Sequence, residues 1–403
     1  MTQTIELVYF NAGGGHRAAA NGLERALQQT GRDYLIRKTN VLEVLDPSGY
    51  FQRVTGMAPE DWYNKRLAYG FTAGLTQELK LFQGLVRLAH SKMTRALESY
   101  WARCEPDIVV SLIPNLNRPL CASLASVLPG VPYLTVMTDL ADYPPDFWVV
   151  PDQPQHVVCG TEYAVAQAIE SGTAPHRVHR ASGMLLRPDF YTDAHVDRVT
   201  ERRALGLDPS RPTGLVLFGG HGSSRAMLAI AESLPDIQLI MMCGHNAAAA
   251  RKLKSLSSRA ARAVIGFTPD VQHYMRLADF FIGKPGPGSI SEAVHCGLPV
   301  VTVLNRWTLP QERFNPRWVC DHGLGLAGKS FSQLRGPVTG LLRQLDDYQE
   351  RVSALAPNRA VYEVVSLIDE LLRTGGEITP TWAPAHQLAD SSMGAKYDSD
   401  MKI

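Results

Sequence analysis

Residues 280–304, FFIGKPGPGSISEAVHCGLPVVTVL, constrain the fold more than any other part of the chain. Phe280-Phe281-Ile282 is an apolar run of the length and composition of a buried strand. The glycine- and proline-rich segment Gly283 to Gly288 stops it. A helix follows, with Ile290, Ala293 and Val294 at i, i+3, i+4 as its inner face. It ends near Gly297, and Val300 to Leu304 is a second apolar strand. Strand, glycine-rich turn, helix and strand in that order make a βαβ unit. Free backbone N–H groups at such a helix start suit a phosphate. The Gly and Pro residues let the backbone approach a ligand closely in a fixed shape. Glu292 admits two readings. Ser289-x-x-Glu292 fits a capping box, a purely structural duty. A carboxylate one turn into the helix also accepts hydrogen bonds from ribose hydroxyls while the N–H groups face a diphosphate.

The same order opens the chain. Thr4 to Phe10 predicts a strand, Asn11 to His16 a glycine loop, and Ala19, Leu23, Ala26 and Leu27 the inner face of a helix. The loop has neither the G-x-G-x-x-G spacing of a dinucleotide fold nor the Gly-Lys-Ser/Thr of a P-loop. His16 sits at the helix start, where the positive end of the dipole disfavours protonation. A neutral imidazole is what a general base requires; the alternative duty is closing the loop.

Between these ends, strands are predicted over 107–113, 132–138, 157–160 and 177–181, and again over 214–218, 237–243 and 263–266. Helices 116–128, 162–170, 225–233 and 247–256 lie among them, with another after Asp270. Strands alternating with helices twice over predict an α/β chain of two doubly wound parallel sheets. Ligands in such sheets sit beyond the carboxyl ends of the strands, so two sheets facing each other make a cleft. The expected domains are 1–186 and 187–356, followed by a helix over 357–374 and a tail, 375–403, without periodicity or regular structure.

The rhythm breaks between Tyr50 and Arg103. Phe51, Trp62, Tyr63, Tyr69, Phe71, Phe82, Tyr100 and Trp101 are interleaved there with basic residues, which outnumber acidic ones eight to four. That pattern seats a helix in the interface of an anionic membrane; it equally describes core aromatics beside a solvated face. At 403 residues, 45% apolar and 20% charged, the chain has the composition of a globular protein of two domains. A net charge of +1 gives no pull toward nucleic acid. Six cysteines without C-x-x-C spacing signal neither a zinc site nor a disulfide framework, and are expected as reduced thiols in the cytoplasm. The start, MTQTIELVYF, lacks the layout of a signal peptide, and no apolar run reaches the ~20 residues that cross a bilayer.

Together these loops resemble the GT-B glycosyltransferases, within them the monogalactosyldiacylglycerol synthase and processive diacylglycerol glucosyltransferase group of glycosyltransferase family 28. The peptidoglycan N-acetylglucosaminyl transferase that makes lipid II is a more distant likeness. NAGGGHRAAA is similar to the group's first loop, EPDIVVSLIP and VPYLTVMTDL to its mid-domain strands, and GMLLRPDF to its domain-crossing segment. GFTPDVQHYMRLADFFIGKPGPGSISEAVHCGLPVV, followed by Leu309-Pro310-Gln311-Glu312, is similar to its nucleotide-sugar region. The chain departs from the pattern at Met184, where the group has proline, at Tyr143, where it has histidine, and at Ile113-Pro114, where it has His-Pro.

The resemblance implies a GT-B fold, two Rossmann-like domains facing across a cleft. Glu292 would hold the ribose of UDP. Gly219, Gly220 and the turn Gly286, Gly288, Ser289 would present N–H groups to the diphosphate, with Arg187 as a nearby cation. Phe267 would lie where backbone holds the uracil, Gln311 and Glu312 would read the sugar, and Asn315 would lie near them. Gly13, Gly14 and Gly15 form the acceptor-side loop. His16 would be the base, with Asp139 as a second candidate. The reading is an inverting hexosyltransferase, peripheral on the cytoplasmic membrane face, with a UDP-hexose donor, a lipid acceptor and an anionic membrane surface as partners. Other amphipathic acceptors, or UDP-sugar 2-epimerase or hydrolase chemistry, are the alternatives. Two glycine loops and an arginine supply the leaving-group stabilisation without metal or cofactor; the only Asp-x-Asp, Asp398-Ser399-Asp400, lies in the tail. Gln311 and Glu312 serve a glucose or a galactose 4-hydroxyl equally.

Overall fold

A computed structural model of the chain describes residues 2–11, 14–49, 52–53, 56, 84, 86–192, 196–219 and 223–377. Its frame is two six-stranded sheets. The first contains β1 (Gln3–Tyr9), β2 (Tyr34–Asn40), β3 (Ile108–Ser111), β4 (Tyr133–Val136), β5 (Gln155–Cys159) and β6 (Val178–Arg180), in the order β2-β1-β3-β4-β5-β6. The second contains β7 (Thr213–Leu217), β8 (Gln238–Met242), β9 (Arg262–Ile265), β10 (Phe280–Gly283), β11 (Val300–Val303) and β12 (Gly325–Gly328), in the order β12-β11-β10-β7-β8-β9. Neighbouring strands run parallel throughout. The two doubly wound sheets are therefore those the alternation predicts.

Parallel strands buried on both faces need continuous apolar runs, and β3, β4 and β10 are buried at every residue. Helices cover them with single apolar faces. Leu23, Ala26 and Leu27 do so from the helix Gly15–Gln29, and Met227 and Ile230 from the helix Ser224–Ser233. Each such Leu or Ile contributes roughly 1.5–3 kcal/mol by leaving water. The edge strands β2 and β12 escape sequence reading. In β2 the last four residues, Arg37 to Asn40, are polar, and β12 is Gly-Leu-Ala-Gly. A strand at a sheet edge needs no apolar run, so its pattern is weak.

The chain divides into two units. One holds the described residues up to Pro188 together with those from Asn358 on; the other is Asp189–Pro357. The helix Ala360–Thr374 thus returns to the first unit and packs on the helix Gly15–Gln29. It buries Val361, Val364, Ile368 and Leu371. Asp369 pairs with Arg32 at 3.0 Å, and Glu363 accepts from the Ser182 N–H at 2.7 Å. The tail beyond residue 377 lies outside the described residues, as does most of the stretch 50–83.

What is described of the segment 50–103 settles two of its aromatics. Trp101 is buried on the helix His90–Cys104 and donates to Ser123 Oγ at 2.8 Å. The Tyr100 hydroxyl donates to Glu6 at 2.7 Å. Trp101 belongs to the core and Tyr100 packs against it. Among the described residues no helix is long and apolar enough to cross a membrane.

Strand order decides where a site lies. In the first sheet the chain steps from β1 to β2 on one side, then crosses to β3 on the other. In the second it runs from β7 through β8 and β9, then crosses to β10. The loops leaving β1 and β3, and those leaving β7 and β10, diverge at these switch points and leave a crevice beyond the strand ends. The two glycine-rich loops and the Gly219 turn are all such loops.

Candidate active site

In the first unit the crevice holds His16. Gly14 caps the helix Gly15–Gln29 in the left-handed region, at φ +81°, and His16 follows in the first turn; Gly13 lies outside the described residues. His16 Nδ1 is 2.8 Å from the carbonyl oxygen of Leu112, just past β3, and 3.2 Å from Thr138 Oγ1. A carbonyl only accepts, so Nδ1 carries the hydrogen and Nε2 is left with its lone pair. The ring stacks on Phe10 at 4.9 Å and stands 6.0 Å from the indole of Trp148. Desolvation lowers the His16 pKa to about 4, partly opposed by the Leu112 hydrogen bond. The imidazole is neutral as expected, but burial is the larger cause, where the sequence suggested the helix dipole.

The left-handed backbone makes Gly14 the demanding position of this loop. Gly14→Ala is expected to cost about 1–2 kcal/mol, whereas Gly15→Ala, at ordinary φ and with open space around its Cβ, costs little. Urea denaturation of the two variants checks this.

Asp139 is 7% exposed, and its Oδ2 accepts from Trp148 Nε1 at 2.9 Å. One oxygen of this second base candidate is thus committed to an indole. Arg187 is half-buried in the first unit, with its backbone against Gly22, where an added Cβ would stand 3.4 Å from the Arg187 Cα.

In the second unit Gly219 follows β7 at φ +75°; Gly220 lies outside the described residues. The helix Pro287–His295 starts one turn earlier than the capping box requires. Its N-cap is Gly286, and Ser289 Oγ donates back to the Gly286 carbonyl at 3.3 Å. Ser289 is therefore not the cap, and the box with Glu292 does not form. Pro287 brings no N–H, so Gly288 and Ser289 supply the first free ones. Glu292 is half-buried in the second turn.

The turn is braced from the next loop. Lys284 Nζ reaches Glu312 Oε1 at 3.0 Å, and Asn315 Nδ2 donates to the Pro285 carbonyl at 2.7 Å. Asn315, three residues after Glu312, is fully buried and its bond to Pro285 ties the two loops together. Glu312 is also buried, in the short turn Pro310–Glu312, while Gln311 is half-buried. Phe267 is 58% exposed and stacks on His245, ring centroids 3.9 Å apart. Lys284, His245, Thr138 and Trp148 line these features although the sequence did not single them out; Lys284, inside the glycine-rich turn, and Thr138, inside VPYLTVMTDL, carried a local signal. Among the described residues no three His, Cys, Asp or Glu groups could hold a metal ion.

Two Rossmann-like sheets, each with a glycine loop at its switch point, define the class: this is a GT-B fold. The crystal structure of MurG from Acinetobacter baumannii shares it, with a TM-score of 0.56 at 16% identity over 92% of this chain and 100% of that one. Residues 215–311 match the glycosyltransferase family 28 C-terminal domain. A probable monogalactosyldiacylglycerol synthase 3, chloroplastic, of Oryza sativa subsp. japonica is 28% identical over 407 residues, covering 94% of this chain and 76% of that protein. The chloroplastic monogalactosyldiacylglycerol synthase of Spinacia oleracea is 27% identical over 392 residues, covering 92% and 72%. The chain is thus similar to glycosyltransferases of family 28 in its second unit and to monogalactosyldiacylglycerol synthases over most of its length.

Proposed function

We propose that the protein is an inverting, UDP-sugar-dependent glycosyltransferase that moves a hexose to diacylglycerol at the cytoplasmic face of a membrane, giving a β-glycosyldiacylglycerol. The observation that carries this reading is His16, a neutral imidazole with Nδ1–H tied to Leu112 and a lone pair on Nε2. Nε2 takes the proton of the acceptor hydroxyl as its oxygen attacks the anomeric carbon. The bond from that carbon to the diphosphate breaks, and UDP leaves with the electron pair. One displacement inverts the anomeric centre.

On the donor side, N–H groups at Gly219, Gly288 and Ser289 meet the diphosphate, and Gly286 shapes the turn. Arg187 is the candidate cation. Glu292, which does not cap its helix, accepts from the ribose hydroxyls. Gln311 and Glu312 read the hexose, and Phe267 lies beside the base. Leaving-group stabilisation by N–H groups and a cation asks for no metal or cofactor. The lipid acceptor is supported by the rice and spinach relatives, whose names describe synthases of a galactolipid.

The decisive assay offers labelled UDP-glucose, UDP-galactose and UDP-N-acetylglucosamine with vesicles of diacylglycerol and anionic lipid. A labelled glycosyldiacylglycerol is the expected product. Conversion of UDP-N-acetylglucosamine with no acceptor present overturns the reading in favour of an epimerase or hydrolase.

The exposed residues before and along the helix His90–Cys104 support membrane contact there. Leu88 is 86% exposed, Arg87 lies beside it, and Lys92 and Arg95 are exposed one turn apart on the helix. A basic residue near an anionic surface contributes about 1 kcal/mol. Lys92→Gln combined with Arg95→Gln is therefore expected to weaken vesicle binding roughly 30-fold, measured by co-sedimentation. Unchanged binding would remove this patch from the membrane.

A further inference from the structure

The wall behind His16 is held at three points. Trp148 is fully buried. Its indole Nε1 donates to Asp139 at 2.9 Å, its backbone N–H donates to Asp142 Oδ1 at 2.6 Å, and its carbonyl accepts from Asn117 Nδ2 at 2.9 Å. Asp142 is itself pinned. Its N–H donates to Gln167 Oε1 at 2.8 Å and its carbonyl accepts from Gln167 Nε2 at 3.0 Å, so the helix Glu162–Glu170 grips its backbone through one amide. The Asp142 side chain is 2% exposed. Asp142 thus holds Trp148 by its backbone, while the Trp148 ring stands 6.0 Å from that of the base.

We propose that Asp142 is a positioning residue for His16: its carboxyl, acting through Trp148, sets the wall against which the imidazole is held, and the proton on that carboxyl governs turnover. The inference rests on His16 being the base. Trp148 is too deeply buried to touch substrate, and Asp142 lies behind it.

Deprotonation turns the Trp148 N–H bond into a charge-assisted one, about twice as strong as a neutral bond. Burial pushes the Asp142 carboxyl up to about 7, against the lowering pull of the Trp148 and Val149 N–H groups; the neighbouring Asp146 adds to the rise. The other titratable groups facing it are Asp139, which shares Trp148, and Cys159 on β5. Burial first and the Asp142 charge next push the Cys159 thiol up, so it stays neutral. Gln167, from the helix, carries no charge. Because the His16 pKa is lowered to about 4, a change of rate near neutrality does not come from His16, and Asp142→Asn tests whether it comes from Asp142.

The test follows kcat and KM of the full chain from pH 5 to 9, with and without Asp142→Asn. In the parent, kcat is expected to rise about fivefold through neutrality, the ratio of a charge-assisted to a neutral hydrogen bond, while KM for the UDP-sugar stays level. In Asp142→Asn, which keeps an acceptor oxygen for Trp148 N–H, the step vanishes. A step that persists in that variant overturns the proposal. Should the variant not fold, 5-fluorotryptophan-labelled parent protein gives a second reading. The Trp148 resonance, assigned by Trp148→Phe, then shifts with a midpoint near neutrality, and a resonance flat from pH 5 to 9 overturns the proposal. Full activity of His16→Ala would instead sink the base assignment itself, so the two failures are distinguishable.

Discussion

His16→Ala is expected to lower kcat by about 10²–10⁴-fold, the range of general base catalysis, while UDP affinity measured by calorimetry stays at its parent value. The effect is large because the other base candidate, Asp139, already has one oxygen committed to the Trp148 indole N–H. Affinity is spared because the donor loops belong to the other unit. The acid limb of the parent rate profile falls near pH 4, where Nε2 gains its proton. The same shift has a sign for stability. The folded pKa lies below the unfolded value, so between about 6.5 and 4 the unfolded chain binds more protons, and stability falls as pH falls through that window. Alanine removes this dependence. A variant that keeps full turnover on the lipid acceptor would show that His16 only closes its loop.

Glu292→Ala is expected to raise KM for the UDP-sugar by roughly 10- to 150-fold, the loss of hydrogen bonds to a charged acceptor worth about 1.5–3 kcal/mol. The competing expectation, a lost capping box, would appear as a fall of about 1 kcal/mol in stability with unchanged KM. The structure separates the two in advance. The helix Pro287–His295 starts at Gly286, and Ser289 faces back to the Gly286 carbonyl. The melting temperature should therefore move far less than the KM. If stability falls and KM holds, the carboxylate serves the helix, and the ribose must be held elsewhere.

Much of this protein was legible before any coordinate. Helix Glu162–Glu170 runs over the residues its periodicity predicts, and the central strands lie within a few residues of the apolar runs that mark them. Such signals are local: a strand buried on both faces must be apolar throughout, and a helix with one buried face must repeat every third or fourth residue. Glycine at positions 14 and 219 was equally readable, because the left-handed turns that end these strands favour it. Of the four edge strands β6 and β9 were readable, but β2 and β12 were not, since an edge strand needs no continuous apolar run.

The sequence by itself therefore determined two doubly wound sheets and marked a glycine-rich loop in each, with the His16 imidazole as the proposed base and the Glu292 carboxylate as the proposed ribose ligand. Tertiary structure alone decided what those groups are free to do. The Leu112 carbonyl that sets the His16 tautomer lies 96 residues away and arrives only because β3 pairs with β1. Asn315 braces the glycine-rich turn because folding brings it to the Pro285 carbonyl, 30 residues away. The final helix joined the first unit because Asp369 and Glu363 meet Arg32 and Ser182 there. The physical reason is common to all three: local periodicity dictates which face of an element is buried, but only strand order and packing choose the partner that a polar group meets once it is there.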